Sequence, residues 1–383
     1  MIIAVNARTL RRVPKDGIGW FTYEVIRRMA EAHREHRFVL FCDRKHDPLP
    51  FEGENIEYVF LKPRNIHPVI WWYWHEVQLP AVIRKINPDV LLSTDGLMPL
   101  RLNIPCISVI HDLNHEHRPQ DFPPVKRSYY RHFFPLIAKK AERVATVSDF
   151  SADDIASTYG IERKTIDVVY NGVGDVFSPP VGDEAERTRQ LYTGGRPYFL
   201  FVSNFSPRKN LETLIKAYDL LRKEHGTDHV LLLAGRKLFR SAGLNRALES
   251  SPYSRDILFT GSVTPEVLRK LYGAAEVFTF VPWHEGFGIP VVEAMRCGAP
   301  CIISDTTSLP EVSGGAALCA GPAGAGAIAD AMARLVSDEA LRRRLSQQGI
   351  INSQRFSWNK TAEALWNTIL KTLDSNHASK TLL

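Results

Sequence analysis

Short apolar runs alternate with longer amphipathic segments along most of the chain. The runs are β-branched or aliphatic, and turn residues bound most of them, which is typical of buried β-strands. The longer segments, for example GWFTYEVIRRMAEAHRE and YYRHFFPLIAKKAER, are helical candidates. This alternation predicts a parallel sheet with helices on both faces. In the first half of the chain, the predicted strands lie at 2–7, 38–42, 56–61, 89–94, 106–111 and 144–148.

The same alternation starts again in the second half of the chain. Here the predicted strands lie at 198–203, 229–235, 257–261, 277–281 and 300–305. Residues 173–197, between the two series, are rich in glycine, proline and charge, which is typical of a domain boundary. We therefore expect an α/β protein with two doubly wound, Rossmann-like domains, 1–180 and 190–358, facing each other across a cleft.

The net charge of +6 suits an anionic small ligand or an anionic membrane surface. Nucleic acid is not expected as a partner, because there is no dense basic tract and no zinc-finger spacing. The five cysteines form no C-x-x-C pair, which favours free thiols in a reducing cytoplasm. No apolar run approaches the roughly 18 residues of a membrane span, and the first run is too short for a signal peptide. We expect a cytoplasmic protein, or one bound to a membrane at its surface.

The segment HEGFGIPVVEAMRCGAP, residues 284–300, follows the predicted strand 277–281. Gly286 and Gly288 permit a sharp turn, and Pro290 suits the first helical position because its missing N–H is not needed there. The free amides of this helix start would form an anion site that the helix dipole strengthens. Since ligands of such sheets bind at the carboxyl ends of the strands, we expect a ligand here.

Two glutamates of this segment, Glu285 and Glu293, could face the same ligand. An acid in the first helical turn stabilises a helix by roughly 0.3–1 kcal/mol, so Glu293 has a local structural explanation. Glu285 precedes the turn and has no such explanation. The alternative is a strand-to-helix corner that contains two acids without binding anything.

Two adjacent cations, Arg208 and Lys209, follow the predicted strand 198–203 and lead into a helix. Their charge opposes the helix dipole, and a bound anion would remove that conflict, since each charge-assisted hydrogen bond contributes roughly 1.5–3 kcal/mol. The alternative is a solvated surface pair. Because the sequence has no Asp-x-Asp pair to hold Mg²⁺ or Mn²⁺, no metal is expected, and the cations and helix amides would meet a diphosphate.

His111 ends another predicted strand and is interpreted as a polar active-site histidine. His115 and His117 follow it, but their spacing on a loop is a weak indication of a metal site. Gly17 and Gly19 precede a helix that we expect to begin near Trp20. The dinucleotide fingerprint does not fit there, so a flexible glycine loop touching a phosphate or sugar is the remaining interpretation.

Together, these motifs resemble the retaining GT-B glycosyltransferases of family 4. The E-x₇-E signature of that family is similar to the stretch from Glu285 to Glu293, and the other motifs stand in the family's order over nearly the whole chain. They are HDL at 111–113, VSDFS at 147–151, NGV at 171–173, RKN at 208–210, LAGR at 233–236, FTGSV at 259–263 and LPEV at 309–312. The sequence as a whole looks most like those of bacterial mannosyltransferases of polysaccharide or O-antigen assembly.

The resemblance implies catalytic and donor-sugar roles for five residues. Glu285 would bind sugar hydroxyls near the reacting carbon, and His111 would lie at the sugar. The backbone amides of Phe287, Gly288 and Ile289 would contact the sugar or the phosphate. The resemblance also implies that the anomeric configuration is retained. A front-face route is often favoured for this family, since no residue is an obvious nucleophile.

The resemblance also implies where the nucleotide and the C-terminal helix lie. Arg208 and Lys209 would hold the diphosphate, together with the loop of Gly17 and Gly19. Glu293 would bind the ribose hydroxyls. The nucleotide base would lie beside Gly261, Ser262 and Val263. The C-terminal helix, 359–383, would cross back to the N-terminal domain.

The implied reaction moves a hexose from a nucleotide sugar to a saccharide or lipid-linked saccharide acceptor in surface polysaccharide or lipopolysaccharide biosynthesis. The resemblance favours mannose from GDP-mannose, with a UDP-sugar donor as the alternative. An epimerase, a phosphorylase and a non-catalytic sugar-nucleotide binding protein are further alternatives on this scaffold. The acceptor, the linkage and the oligomeric state stay open.

Two aromatic segments in the N-terminal half concern the acceptor. Residues 125–144 are basic and aromatic, and residues 69–80 contain four consecutive aromatic residues. This composition suits an anionic membrane interface. The alternative is that these aromatic residues form core or oligomer contacts.

Overall fold

The computed structural model describes residues 1–10, 16–45, 48–63, 67–236 and 242–381. The chain divides into two compact units: the first is Met1–Gly172 with Ser357–Leu383, and the second is Val173–Phe356. The first unit thus ends earlier than the predicted bound of 180. Residues beyond Gly172 pack within the second unit, where the ring centroids of Phe177 and Tyr272 are 6.1 Å apart.

The first unit contains a parallel sheet with the strand order β3-β2-β1-β4-β5-β6-β7. The strands are β1 (Ile2–Asn6), β2 (Arg37–Cys42), β3 (Ile56–Phe60), β4 (Val90–Ser93), β5 (Cys106–Val109), β6 (Arg143–Thr146) and β7 (Ile166–Val168). Its helices before residue 172 are α1 (Gly17–Ala32), α2 (Pro68–Tyr73), α3 (Leu79–Ile86), α4 (Asn114–His117), α5 (Pro124–Lys140) and α6 (Asp149–Tyr159). A π-helical turn, Trp74–Gln78, joins α2 to α3.

The second unit repeats this plan, with the strand order β10-β9-β8-β11-β12-β13. Its strands are β8 (Tyr198–Val202), β9 (Val230–Ala234), β10 (Ile257–Gly261), β11 (Val277–Phe280), β12 (Cys301–Ser304) and β13 (Ala317–Ala320). Its helices are α7 (Glu184–Thr193), α8 (Leu211–His225), α9 (Ala242–Ser250), α10 (Pro265–Ala274), α11 (Ile289–Arg296), α12 (Leu309–Ser313), α13 (Ala325–Ser337) and α14 (Glu339–Ser353).

The predicted architecture of two parallel-sheet, Rossmann-like domains is confirmed, and each predicted strand is present within one or two residues. Burial explains why the apolar runs were visible: β9, with the sequence VLLLA, is buried along its whole length. Two strands, β7 and β13, were not predicted from the sequence. Both are short edge strands, and β7 carries the charged Asp167 in its middle.

Both sheets have a topological switch point, where the strand order reverses. In the first sheet it lies between β1 and β4, and in the second between β8 and β11. Strand connections leave in opposite directions there, which opens a crevice at the carboxyl ends of the strands. Each unit therefore has a defined place where polar side chains can meet a ligand.

The last helix, α15 (Trp358–Thr381), belongs to the first unit and packs against α1. The Trp366 ring stacks on His33 with the ring centroids 3.7 Å apart, and the Thr361 hydroxyl donates to the Tyr170 carbonyl at 2.8 Å. No helix in the described ranges is long and apolar enough to cross a membrane.

The contact between Gly172 and α15 leaves no room for a side chain. A Cβ at position 172 would lie 2.2 Å from the backbone nitrogen of Trp358. We therefore expect Gly172→Ala to lower the free energy of unfolding by about 1–3 kcal/mol, because backbone must shift to relieve the overlap. Urea denaturation followed by circular dichroism measures the change.

Gly326→Ala is the matched control for this substitution. It lies in α13, and a Cβ there would meet no other atom within 4 Å. Since alanine is the better helix former by up to about 1 kcal/mol, this variant should be neutral or more stable. Equal stabilities for the two variants would contradict the close approach of Gly172 to α15.

Candidate functional site

At the switch point of the second sheet, Glu285 meets both predicted cations. Its Oε2 atom accepts from Arg208 Nη1 at 2.9 Å and from Lys209 Nζ at 2.5 Å. Arg208 and Lys209 follow β8, whereas Glu285 follows β11, so the three side chains come from the two strands that flank the crevice. We call these three residues the switch-point triplet.

Backbone and amide contacts fix the two loops that carry the triplet. Pro207–Lys209 forms a single 3₁₀ turn, and Asn210 adopts the left-handed conformation with φ 61° before α8 begins. The buried Asn210 side chain donates to the carbonyls of Val281, at 2.9 Å, and Pro322, at 2.6 Å. Trp283 N also donates to the Arg208 carbonyl at 2.9 Å. The loop after β8 is therefore attached to the loop after β11.

The charges of the triplet stabilise one another. Burial would by itself raise the pKa of Glu285, but Coulomb attraction and hydrogen bonds from Lys209 and Arg208 outweigh it and lower that pKa to about 2. Only 14% of the Glu285 side chain and 8% of the Lys209 side chain are exposed. Glu285 is thus a carboxylate at any physiological pH, and Lys209 also lies 4.8 Å from the Phe280 ring centroid.

This geometry changes the interpretation of the two cations. From the sequence we expected either an external anion or bulk solvent to meet them. The structure places Glu285, an internal anion, against both Arg208 and Lys209. Glu285 had no structural explanation in the sequence, and its contacts with these two cations now account for a carboxylate at this position.

The turn after Glu285 leads into α11 as predicted. Gly288 precedes the helix with φ 97°, and a Cβ there would lie 2.4 Å from Leu309 Cδ2, so both backbone and space require glycine. Phe287 is buried against Phe356, with ring centroids 5.4 Å apart, and Ile289 is the first residue of the helix. The Ser308 hydroxyl donates to the Glu285 carbonyl at 2.9 Å, which fixes the start of the turn.

Glu293 does not have the local role that was expected. The helix begins at Ile289, so Glu293 is its fifth residue and lies beyond the first turn. Instead, the Tyr272 hydroxyl of α10 donates to its carboxyl group at 3.0 Å. Burial raises the pKa of Glu293 to about 8, and the hydrogen bond from Tyr272 offsets this only in part. The two glutamates therefore have opposite protonation states at neutral pH.

The remaining residues predicted for the nucleotide follow β10. Gly261 ends that strand with φ 70°, and its carbonyl accepts from Gly235 N at 2.9 Å. Gly261 and Ser262 are exposed and Val263 is half-buried. Since the sheet is parallel, they lie at the same carboxyl edge as the switch-point triplet.

In the first unit, His111 follows β5 and contacts the end of β4. Its Nε2 atom lies 2.9 Å from the Thr94 carbonyl, so that nitrogen carries the proton, and its ring packs edge-on to Phe21 at 5.0 Å. Burial lowers the pKa of His111, which favours the neutral ring. His115 is buried and lies 2.9 Å from the Tyr159 hydroxyl, a structural contact.

Gly17 and Gly19 do not form the flexible loop that we expected. Both lie in the first turn of α1, which begins at Gly17 rather than near Trp20. Asp16 caps this helix, and its Oδ1 atom accepts from Gly19 N at 2.8 Å. If Gly17 and Gly19 contact a phosphate as predicted, they would do so from the start of α1 and not from a loop. Residues 11–15 of the predicted loop lie outside the described residues.

A buried polar cluster that was not predicted from the sequence lies at the switch point of the first sheet. Asn6, at the end of β1, donates to Asp95 Oδ1 at 3.1 Å and to Ser93 Oγ at 3.1 Å. Arg8 Nε donates to the other oxygen of Asp95, whose side chain is 2% exposed. The only indication in the sequence was that polar residues follow two apolar strands directly, in NAR at 6–8 and in STD at 93–95. Arg8 and Asp95 are 87 positions apart, so nothing local joins them.

Comparison with protein families identifies what this fold and these motifs belong to. Residues 15–174 match the family described as Glycosyltransferase Family 4, and residues 183–351 match the family described as Glycosyl transferases group 1. The chain belongs to the family 4, or group 1, glycosyltransferases. The switch-point triplet lies within the second of these matched regions.

Individual relatives of this glycosyltransferase are similar over most of its length. It is 27% identical to O-antigen chain mannosyltransferase B of Escherichia coli, over 91% of this chain and 94% of that protein. It is 31% identical to the serotype-specific mannosyltransferase WbdA of Escherichia coli, but over 62% of this chain and 30% of that protein. Alr3699/HepE of Anabaena, solved with UDP and glucose, has a TM-score of 0.74 and 18% identity over 96% of this chain and 98% of that chain. The structural likeness shows the GT-B fold.

The protonated state of Glu293 predicts a pH-dependent stability. A carboxyl group with a pKa of about 8 in the folded protein and a usual value of 4.5 releases its proton more readily when unfolded. The wild-type chain therefore loses stability relative to Glu293→Gln as the pH rises from 4.5 to 8. Between pH 5 and pH 9 we expect a relative change of about 2–4 kcal/mol in urea denaturation.

Glu285→Gln is the control for this measurement. The pKa of Glu285 is lowered from 4.5 to about 2, so its ionised form stabilises the fold above pH 4.5 and this contribution is lost as the pH falls toward 2. Its difference from the wild type should stay constant between pH 5 and pH 9. A constant difference for Glu293→Gln as well would show that Glu293 is ionised throughout this range.

Proposed function

We propose that this glycosyltransferase moves mannose from GDP-mannose to a saccharide or lipid-linked saccharide acceptor in surface polysaccharide assembly, with retention of the anomeric configuration. The observation that carries the proposal is the switch-point triplet, because it combines an ionised carboxylate with two cations at the carboxyl edge of a nucleotide-binding type of sheet. Two relatives, from Escherichia coli and Salmonella typhimurium, are named O-antigen chain mannosyltransferases, and their names support mannose as the transferred sugar.

The triplet suits the departure of a nucleoside diphosphate. When the bond between the anomeric carbon and the diphosphate oxygen breaks, negative charge grows on the phosphate and positive charge grows on the sugar ring. Arg208 and Lys209 are placed to stabilise the first charge, and the carboxylate of Glu285 to stabilise the second. The contact of both cations with Glu285 holds them in position before the donor arrives, so little reorganisation is required.

Glu285 retains an oxygen for the donor sugar. Both cations contact Oε2, and no hydrogen bond from the described residues reaches Oε1. Oε1 can therefore accept from sugar hydroxyls while Oε2 keeps the cations in place. This division supports the role of Glu285 in binding the donor sugar, with the amides of Phe287, Gly288 and Ile289 beside it.

Glu293 supports the proposed nucleoside subsite in a different way. With a pKa of about 8, it is mostly protonated at pH 7 and can both donate and accept hydrogen bonds. Two neighbouring ribose hydroxyls also donate and accept, so a neutral carboxyl group matches them without burying a charge. The base would extend toward Gly261, Ser262 and Val263.

For the acceptor, the first unit supplies His111 and a basic, aromatic surface. His111 is neutral and held by Thr94, which suits a side chain that orients hydroxyl groups by hydrogen bonds. The helix α5 carries Lys126, Arg127, Arg131, Lys139 and Lys140 and no acid. Its charge supports peripheral contact with an anionic membrane.

Substitution of the triplet tests the donor site. We expect Glu285→Gln and Arg208→Ala each to reduce transfer of mannose from GDP-mannose at least about 100-fold, because each removes a charge that acts in the transition state. Mass spectrometry of a mannosylated acceptor measures transfer. Glu339→Gln, an exposed carboxylate of α14, is the control and should transfer at the wild-type rate. Near-wild-type turnover in both triplet variants would refute the assignment.

Ligand-induced stabilisation tests the donor base. A selective nucleotide raises the unfolding temperature by mass action, so GDP should stabilise the chain more than UDP or ADP at equal concentration. A larger shift with UDP would overturn GDP-mannose and favour a UDP-sugar.

Metal independence is tested separately. Because Arg208 and Lys209 are proposed to meet the diphosphate charge, transfer should persist unchanged in excess EDTA. Loss of activity that Mg²⁺ or Mn²⁺ restores would contradict this part of the proposal.

A further inference from the structure

Two cations of the first unit lie against the same aromatic ring. The Arg8 guanidinium is 5.5 Å from the Trp71 ring centroid, and Lys126 Nζ is 5.8 Å from it. Lys126 also lies 5.2 Å from the Tyr130 ring centroid and 5.7 Å from that of Phe122. We call Arg8, Lys126 and these three rings the cationic cage.

The cationic cage has an excess of positive charge. Asp95 balances Arg8, whereas no carboxylate in the described part of the chain forms a salt bridge with Lys126. Burial lowers the pKa of Lys126, and the charge of Arg8 lowers it further, because the two cations repel each other in a partly desolvated place; the carboxylate of Asp16 offsets this only in part. A bound anion at Arg8 and Lys126 would relieve both effects, because contacts between a cation and a ring do not neutralise charge.

An apolar groove lies on α2, which carries Trp71, and on α5, which carries Lys126. It has a volume of about 700 Å³ and lies between α2 and α5. Three of its apolar side chains are strongly exposed: Val69 by 66%, Val125 by 57% and Trp72 by 47%. Its other lining residues are Pro68, Pro124, Ser128, Tyr129, His132 and Phe133. An exposed apolar patch bounded by polar residues is typical of a binding surface.

The groove and the cationic cage adjoin each other. Val125 lines the groove and Lys126, the next residue, belongs to the cage. Likewise Trp72 lines the groove, and Trp71 is the ring that both cations contact. The Trp71 ring packs edge-on to Tyr129 of the groove, with centroids 5.5 Å apart. A ligand that is charged at one end and apolar at the other could therefore contact both at once.

We propose that α2 and α5 bind the lipid-phosphate part of the acceptor, with its phosphate at Arg8 and Lys126 and its hydrocarbon chain in the groove. That this lipid is the acceptor rests on the proposed function; the binding site itself does not. The charge complementarity decides the occupant, since a purely apolar chain would leave Lys126 unbalanced.

Binding of simple alkyl phosphates to the full chain tests the site without any sugar transfer. Isothermal titration calorimetry at neutral pH would compare decyl phosphate, below its micelle concentration, with butyl phosphate and decanol. Each buried methylene group contributes about 0.8 kcal/mol, so burial of two or more should make decyl phosphate bind at least about tenfold tighter than butyl phosphate. Decanol should bind more weakly than decyl phosphate because it lacks the anion.

Variants separate the two parts of the site. Lys126→Gln should weaken both phosphates by about tenfold or more, and Lys126→Arg should retain binding within a few-fold, since it keeps the charge. Trp72→Ser with Val125→Ser should remove the advantage of decyl over butyl phosphate. Lys85→Gln, an exposed cation in the last turn of α3, is the control and should bind like the wild type.

Three outcomes would overturn the site: no binding of decyl phosphate, equal affinities for decyl and butyl phosphate, or binding unaffected by Lys126→Gln. A chain that ignores decyl phosphate but sediments with vesicles of anionic lipid would indicate contact with a bilayer surface instead. Tight binding that depends on Lys126 in a chain that transfers no sugar would support this site and contradict the proposed function alone.

Discussion

The carboxylate of Glu285, held between the guanidinium of Arg208 and the ammonium of Lys209, determines how the carboxyl edge of the second sheet is built. Breaking such a partly buried ion pair by removing one partner leaves an uncompensated charge, which costs several kcal/mol. The loops after β8 and β11 must therefore stay together. The left-handed Asn210 and the hydrogen bond between Trp283 and Arg208 are the means by which the backbone meets that requirement.

The fold could be predicted from the sequence because its evidence is local. Strands buried on both faces are visible as apolar runs, and their alternation with helices predicts parallel pairing. β7 and β13 were not predicted because they have only three and four residues and lie at sheet edges, where fewer apolar residues are needed. The start of α1 was misplaced because glycines suggested a loop, although Asp16 caps a helix that begins with them.

The site residues were visible one by one, but their relations were not. Arg208 and Glu285 are 77 positions apart, and no local rule joins them. Glu293 was given a helix-dipole role because its distance from the turn was underestimated, and its partner Tyr272 lies in another helix. The pair of Arg8 and Asp95 was not predicted because the two residues are also far apart in the chain. They meet only because β1 lies beside β4 in the sheet.

The return of α15 to the first unit has a consequence for how the chain folds during synthesis. The second unit is one continuous stretch, Val173–Phe356, whereas the first needs residues from both ends of the chain. As the ribosome releases the N-terminus first, the second unit can complete its sheet while the first still lacks its last helix. Until α15 is released, the face of α1 that packs against it is uncovered, and His33 lacks the Trp366 ring that stacks on it in the complete fold. The first unit is thus the first to begin folding and the last to finish.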